Sequence, residues 1–323
     1  MKEIKIEKND AGQRLDKFLT KALDLPQSLL YKSIRTKKIK CNRLRAQPQQ
    51  ILMEGDVLQC FLPPDLLEKK AGTHALGNIK VRLDVVYEDE HLILLNKPVG
   101  LSVHEDETTE VNTLITYVQA YLYQKGEYDP DAEQSFAPAL CNRIDRNTSG
   151  IVIAAKTAEA LRVMNEKIKN REIDKFYLCA VHGVPNPRSA LLSGYLIKDE
   201  KNNTVRVYDK NPPRGAKTIK TRYTVLQTRG DSALCEVELL TGRTHQIRAH
   251  MAHVGHPLIG DGKYGHNRAD RERGQKYQAL CSYKLRFSFT GEATVLDYLN
   301  GKEFKLSKNA IPFALPYFER EKC

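Results

Sequence analysis

The sequence predicts an α+β protein: a mixed, largely antiparallel central sheet with flanking helices, preceded by a small N-terminal α/β domain. Two observations carry this expectation. Beyond residue 79 strand-like runs outnumber helical ones and several are joined by short turns, while the first 62 residues read as two short helices followed by short strands. At 323 residues the chain has room for about two domains, one with a sizeable core. The expected division is 1–64 for the small domain, 65–78 for a linker and 79–323 for the large domain.

In chain order, Leu15, Phe18, Leu19, Ala22 and Leu23 fall on one face of a first helix within residues 11–24. Pro26 and Ser28 restart a second helix carrying Leu29, Leu30 and Ile34. Residues 37–42 turn into a short strand, and Glu54-Gly55-Asp56 forms a turn before the strand Val57–Phe61. Residues 63–78 lack periodicity and contain Pro, Gly and lysines, as linkers do. The large domain opens with strand-like runs at Ile79–Tyr87 and Leu92–Asn96, closed by the turn Lys97-Pro98-Val99-Gly100. A helix presents Val111, Leu114, Ile115, Val118, Tyr121 and Leu122, and Lys125–Ser135 reads as an exposed loop or insertion. Ile151–Ala155 is an uninterrupted apolar run, expected as a buried strand, and Ala158–Arg171 a helix. Further strands are expected at Lys175–Val181, Ala190–Lys198, Val205–Asp209, Lys220–Thr228, Ala233–Leu240 and Ala279–Phe289.

Composition narrows the function classes. Hydrophobic residues make up 41 % and charged residues 28 %, ordinary for a soluble globular protein. No apolar run approaches the roughly 20 residues that span a bilayer, and the start has no signal-peptide core, so no membrane association is expected. Seven scattered cysteines without C-x-x-C spacing argue for a reducing, cytoplasmic setting. The net charge of +11 points to a polyanionic partner. Residues 1–62 hold 13 Lys/Arg against 7 Asp/Glu. Within them Lys32, Arg35, Lys37, Lys38, Lys40, Arg43 and Arg45 form a run without an acidic residue, an electrostatic footprint for phosphates.

Two stretches carry the chemistry. In Asn142-Arg143-Ile144-Asp145-Arg146-Asn147-Thr148-Ser149-Gly150 a carboxylate sits between two arginines, next to the buried strand. Nearby cations favour its charged form, and a rigid neighbour would hold it in place. The second stretch, Thr241 to Asp261, begins at a strand end and runs through a short helix. His250, His253 and His256 recur every three residues, with His245 and Asp261 nearby, which raises a metal site. Successive i, i+3 positions drift around a helix rather than converge, and there is no H-E-x-x-H, so no metal is expected. The alternative is that Arg243 and Arg248 serve phosphates or an acidic partner while the histidines hold the segment by hydrogen bonds. No G-x-G-x-x-G, G-x-x-x-x-G-K-[ST] or G-x-S-x-G occurs, so nucleotide cofactors and acyl hydrolysis lack support.

Gly12-Gln13-Arg14-Leu15-Asp16-Lys17-Phe18-Leu19, Ile34-Arg35-x-Lys37-x-Ile39-x-x-Asn42 and Glu54-Gly55-Asp56 resemble the S-four-type RNA-binding domain over residues 12–62. Beyond it, four ordered motifs resemble the RluA family of RNA pseudouridine synthases. They are Tyr87-Glu88-Asp89-x-x-Leu92 to Asn96-Lys97-Pro98-x-Gly100-x-x-x-His104; Arg143-x-Asp145-Arg146-x-Thr148-Ser149-Gly150; Lys175-x-Tyr177; and Leu240-Thr241-Gly242-Arg243-x-His245-Gln246-Ile247-Arg248 with Gly255-His256-Pro257-x-x-Gly260-Asp261-x-x-Tyr264-Gly265. The resemblance spans roughly residues 79–320. Three positions depart from the family pattern: Asn142 where His is usual, Ile144 for Leu, and Leu280-Cys281 for Leu-His.

The resemblance implies a pseudouridine synthase fold and a cofactor-free isomerisation. The N1–C1′ bond of a uridine in RNA is cut, the uracil turned, and the base rejoined through C5. It implies Asp145 as the reacting carboxylate, Arg248 as its ion-pair partner and Tyr177 as a stacking platform able to handle the C5 proton. Arg143, Arg146, Thr148, Arg243, His245 and Gln246 are the implied substrate contacts, and Lys32, Arg35, Lys37, Lys38, Lys40 and Arg43 the implied RNA-docking residues. Large-subunit ribosomal RNA is the favoured substrate, with transfer RNA open, and a monomer is expected. Two rival readings are a non-catalytic RNA-binding or ribosome-assembly factor that keeps the fold, and a metal-dependent RNA hydrolase using the histidines.

Overall fold

The structure is a computed structural model that describes the chain except residues 24, 68–74, 106–111, 266–267 and 320–323. Two compact units are present: Met1–Arg82 with Ile115–Ala139 and Ala155–Arg162, and Leu83–Leu114 with Leu140–Ala154 and Val163–Cys323.

In the first unit, β1 (Lys2–Lys5), α1 (Leu15–Leu23), α2 (Gln27–Arg35), β2 (Ile39–Cys41), β3 (Leu44–Arg45) and β4 (Val57–Cys60) follow in order. The strands form an antiparallel sheet in the order β1-β4-β2-β3. The apolar face of α1 (Leu15, Phe18, Leu19, Leu23) and that of α2 (Leu30, Ile34) close one core over Ile39 and Leu58. Lys32 and Arg35 fall in the last turn of α2, where a cation faces the negative end of the helix dipole. Lys37, Lys38 and Arg43 are exposed around the following turn; Lys40 is half-buried, its ammonium 5.6 Å from the Phe61 ring centroid. Residues 133–135 do not behave as the exposed insertion expected. They are half-buried: Gln13 Nε2 donates to Ser135 Oγ at 2.8 Å, and Gln134 Nε2 to the Lys5 carbonyl at 2.8 Å. In the expected linker, Pro64–Leu66 and Ala75–Asn78 are 3₁₀ turns, while 68–74 lie outside the described residues.

The rest of the chain contributes β5 (Val85–Glu88), β6 (Leu92–Lys97), α3 (Leu114–Gln124), β7 (Ala139–Leu140), β8 (Ser149–Ala155), α4 (Ala158–Lys169), β9 (Ile173–His182), β10 (Ser189–Asp199), β11 (Thr204–Tyr208), β12 (Lys217–Arg229), β13 (Ser232–Leu239), α5 (Gln246–His253), α6 (Arg268–Glu272), β14 (Leu280–Phe287) and β15 (Glu303–Lys305). Among the described residues the main sheet has 11 strands, ordered β11-β10-β12-β13-β9-β14-β8-β6-β5, with β15 on β14 and β7 on β8. The pairs from β10/β11 through β14/β9 are antiparallel and β14/β8 is parallel, so the sheet is mixed and largely antiparallel, an α+β arrangement. Val111, expected on the face of α3, lies outside the described residues. The strand expected from Ile79 begins only at Val85: β5 is an edge strand, and Val81 and Leu83 are half-buried without joining the ladder.

Ile151 to Ala155 in β8 are fully buried, which explains the unbroken apolar run. Ser149 and Gly150 pair with Cys281 and Ser282 of β14. Gly150 has φ +113°, and a Cβ there would collide with the Ser282 backbone, so only glycine lets the two strands close at this point. Tyr177 sits mid-strand in β9, opposite Val237 of β13 and Ser282 of β14.

Candidate active site

The loop between β7 and β8 carries Asp145, and its shape is fixed by backbone and side-chain bonds. Thr148 N–H donates to the Asp145 carbonyl at 3.0 Å, closing a tight turn. The next carbonyl, that of Arg146, accepts from Gly100 N–H at 2.9 Å and from Lys97 Nζ at 3.0 Å. Lys97 is fully buried, and its three N–H groups are matched by the carbonyls of Pro98, Leu101 and Arg146. Burial pushes its ammonium down to about 7, against the upward pull of Asp145. Asn142, where the related motif usually has His, accepts from Ile153 N–H at 2.8 Å through Oδ1 and so fastens the loop to β8.

Across the site, α5 presents Arg248. Its Nη1 donates to Asp145 Oδ2 at 3.0 Å, while Nε and Nη2 grip Asp261 at 2.7 and 2.8 Å in a two-pronged bond. Asp261 is fully buried; burial alone would raise its pKa, but Arg248 and the Lys263 and Tyr264 amides hold it below the usual carboxylate value. The Arg248 guanidinium is thus locked from behind before it meets Asp145, whose side chain keeps 28 % of its exposure. His245 Nε2 lies 3.7 Å from the same Oδ2. Burial lowers the His245 imidazole to about 4, with Asp145 acting the other way.

These groups open into a cavity of about 990 Å³, also lined by Tyr177, Arg143, Arg146, Arg243 and Lys263. That volume lies at the upper end for a small-molecule pocket and admits a whole nucleoside. Burial raises the Tyr177 phenol to about 12, offset by a hydrogen bond from Ser282 and reinforced by the Asp145 charge. It therefore stays protonated near neutrality and suits stacking better than proton abstraction.

Several sequence expectations need correction. The arginines flanking Asp145 in sequence are not its clamp: Arg146 Nε donates to the Gly100 carbonyl at 2.9 Å, and Arg143 is exposed at the cavity wall. The partner is the expected Arg248 of α5, over a hundred positions away, which the fold brings across the site. Thr148 and Gln246, expected to contact substrate, do line the cavity, but both are buried and also hydrogen-bonded within the fold. The Gln246 amide accepts from Thr241 Oγ1 and Arg243 N–H and donates to the Lys220 carbonyl and Thr221 Oγ1, which shapes the start of α5. Thr148 Oγ1 accepts from Gln278. Sequence reasoning also missed Lys97 and Tyr264 as site supports, although both stand inside the quoted motifs. The histidines beyond His245 diverge: His250 bonds Thr221, His253 bonds Asp209, and His256 bonds the His182 carbonyl.

An ion-paired carboxylate beside a neutral phenol, in a nucleoside-sized cavity lined by arginines, suits chemistry on an anionic substrate that carries a planar base. The chain belongs to the RNA pseudouridylate synthase family, whose model matches residues 91–253. It is similar to the ribosomal large subunit pseudouridine synthase C of Vibrio vulnificus, 32 % identical over 303 residues that cover 90 % of this chain and 89 % of the relative. The Escherichia coli protein of the same name is 31 % identical over 307 residues, covering 91 % and 90 %. Among solved structures, human RNA pseudouridylate synthase domain containing 4 superposes with a TM-score of 0.55 at 21 % identity, covering 69 % of this chain and 88 % of the human one; this likeness concerns the fold. The protein is accordingly an RNA pseudouridine synthase, an isomerase acting on uridine.

Proposed function

We propose that this enzyme converts uridine to pseudouridine in large-subunit ribosomal RNA, with Asp145 as the reacting carboxylate. The observation that carries the mechanism is the two-carboxylate clamp on Arg248, which holds Asp145 by Oδ2 and, among the described residues, leaves Oδ1 to address the ribose. Attack at C1′, assistance at C2′ and addition to the base all require that free oxygen. The name borne by relatives that align over nine-tenths of this chain supports the ribosomal substrate.

In this reading the target uridine leaves its stack, at a cost of a few kcal/mol, and enters the cavity to lie on Tyr177. Arg143, Arg146 and Arg243 meet the flanking phosphates. Phosphate contacts of the N-terminal S-four-like module, through Lys32, Arg35, Lys37, Lys38, Lys40 and Arg43, offset the cost of unstacking. The reaction is balanced within the nucleotide: the N1–C1′ bond breaks, the C5–C1′ bond forms, and the C5 proton is exchanged for one at N1. No redox partner is required, and the enzyme works as a cytoplasmic monomer.

Pseudouridine mapping in ribosomal RNA from a strain lacking the gene tests the substrate. Loss of one or more large-subunit sites, restored by the wild-type gene, is expected. An unchanged ribosomal map with a site missing from transfer RNA would overturn the assignment.

A further inference from the structure

Tyr264 carries no role in the reaction as derived above, yet it touches two members of the site. Its hydroxyl accepts from Val205 N–H at 2.9 Å and lies 2.9 Å from His245 Nδ1. Its ring faces the Arg248 guanidinium at 5.3 Å and stands edge-on to the His245 imidazole at 5.6 Å. A phenol has one proton to donate. With Val205 as a donor to it, that proton is available to His245 Nδ1, and a neutral imidazole that accepts it carries its own proton on Nε2. Burial keeps this imidazole neutral near pH 7, since its pKa is lowered to about 4.

The Nε2 edge faces Asp145 Oδ2 at 3.7 Å, beyond hydrogen-bond length, so its N–H is not consumed by the carboxylate. Arg248 addresses the same Oδ2. His245 also adopts φ +53° at the start of α5, a backbone state that non-glycine residues rarely hold unless the surroundings impose it. A donor beside an acceptor, too far apart to satisfy each other, is complemented by a group that accepts and donates at once. A hydroxyl does both.

We propose that the Tyr264 hydroxyl fixes His245 as the Nε2–H tautomer, and that His245 Nε2–H and Asp145 together receive the 2′-hydroxyl of the target ribose. The inference rests on the reading that Asp145 addresses the sugar of an RNA uridine. The 2′-hydroxyl sits on the carbon next to C1′, so reading it also registers the reacting carbon against Asp145. It is the group by which a protein distinguishes RNA from DNA. Tyr264 is a positioning residue, and His245 touches substrate.

The test has two arms. In the first, full-length protein labelled with ¹⁵N-histidine gives the ring ¹⁵N shifts, the His245 signal being the one lost in His245→Gln. A protonated Nε2 with bare Nδ1 is expected in the wild type, and a mixture of tautomers in Tyr264→Phe, which keeps the ring over Arg248. In the second, a uridine mapped as a wild-type product is placed in a synthetic stem-loop as uridine or as 2′-deoxyuridine. The wild type should prefer the ribose form by about tenfold or more in kcat/KM, the worth of one hydrogen bond. Tyr264→Phe and His245→Gln should both lose most of that preference. A protonated Nδ1 in the wild type, or an undiminished preference in both variants, overturns the proposal. If the wild type modifies no ribosomal RNA, the substrate assignment fails instead, and the tautomer arm still decides the Tyr264–His245 arrangement.

Discussion

Arg248 bonds two carboxylates with one guanidinium, and its side chain is 6 % exposed. Replacing it by Met leaves the buried Asp261 charge without its ion-pair partner, and breaking a buried pair in this way costs about 3–5 kcal/mol. Thermal melts of Arg248→Met should therefore show a much lower Tm than the wild type, whereas Asp145→Asn, at the half-exposed end of the same clamp, should melt close to it. Equal melting of Arg248→Met and wild type would count against the clamp. The buried histidines set a pH dependence. His245 and His250 have folded pKa values of about 4, both chiefly through burial, against 6.5 for an unperturbed histidine. Between those values the unfolded chain binds more protons than the folded one, so stability is full above about pH 6.5 and falls as pH drops toward 4. His250→Asn should flatten that fall in melts recorded from pH 7 to 4; an equally steep fall would show that His250 does not contribute. Asp261, held below 3.8, adds its own loss only at more acid pH.

At the level of elements, what was legible in the sequence was what local pattern can encode. The apolar run 151–155 became a fully buried strand, and the spacing of Leu15, Phe18 and Leu19 became the inner face of α1. Elements that pattern could not encode were short and peripheral. Lys2–Lys5 has one buried side chain among four residues, and its strand exists because β4 pairs with it. The site was legible as a set of motifs but not as a set of contacts. Asp145 and Arg248 were paired by resemblance, yet the second hold on Arg248, Asp261, arises from the turn after α5 and has no local signature. The flanking Arg143 and Arg146 are the nearest cations in sequence, yet Arg146 Nε bonds the Gly100 carbonyl and Arg143 is exposed at the cavity wall. The basic turn after α2 can be tested as an element. Residues 133–135 bond to residues 5–13, so truncating the N-terminal segment would strip partners from them, and charge removal is the cleaner probe. Lys37→Gln, Lys38→Gln and Lys40→Gln combined should weaken RNA binding and lower the slope of log K against log salt by about 2–3, near 0.7–0.9 per phosphate contact. An unchanged slope would remove the docking role.

On the scale of the whole molecule, a +11 charge gives affinity for any polyanion, and specificity has to come from the cavity. The two functions separate cleanly: neutralising Asp145 should leave RNA binding intact while removing the chemistry. The direct measurement is tritium release from large-subunit ribosomal RNA labelled at uridine C5, under single turnover with excess enzyme. Wild-type protein should release the label, and Asp145→Asn should release none while binding the same RNA with comparable affinity. Release by Asp145→Asn at the wild-type rate would contradict the assignment of Asp145 as the reacting group.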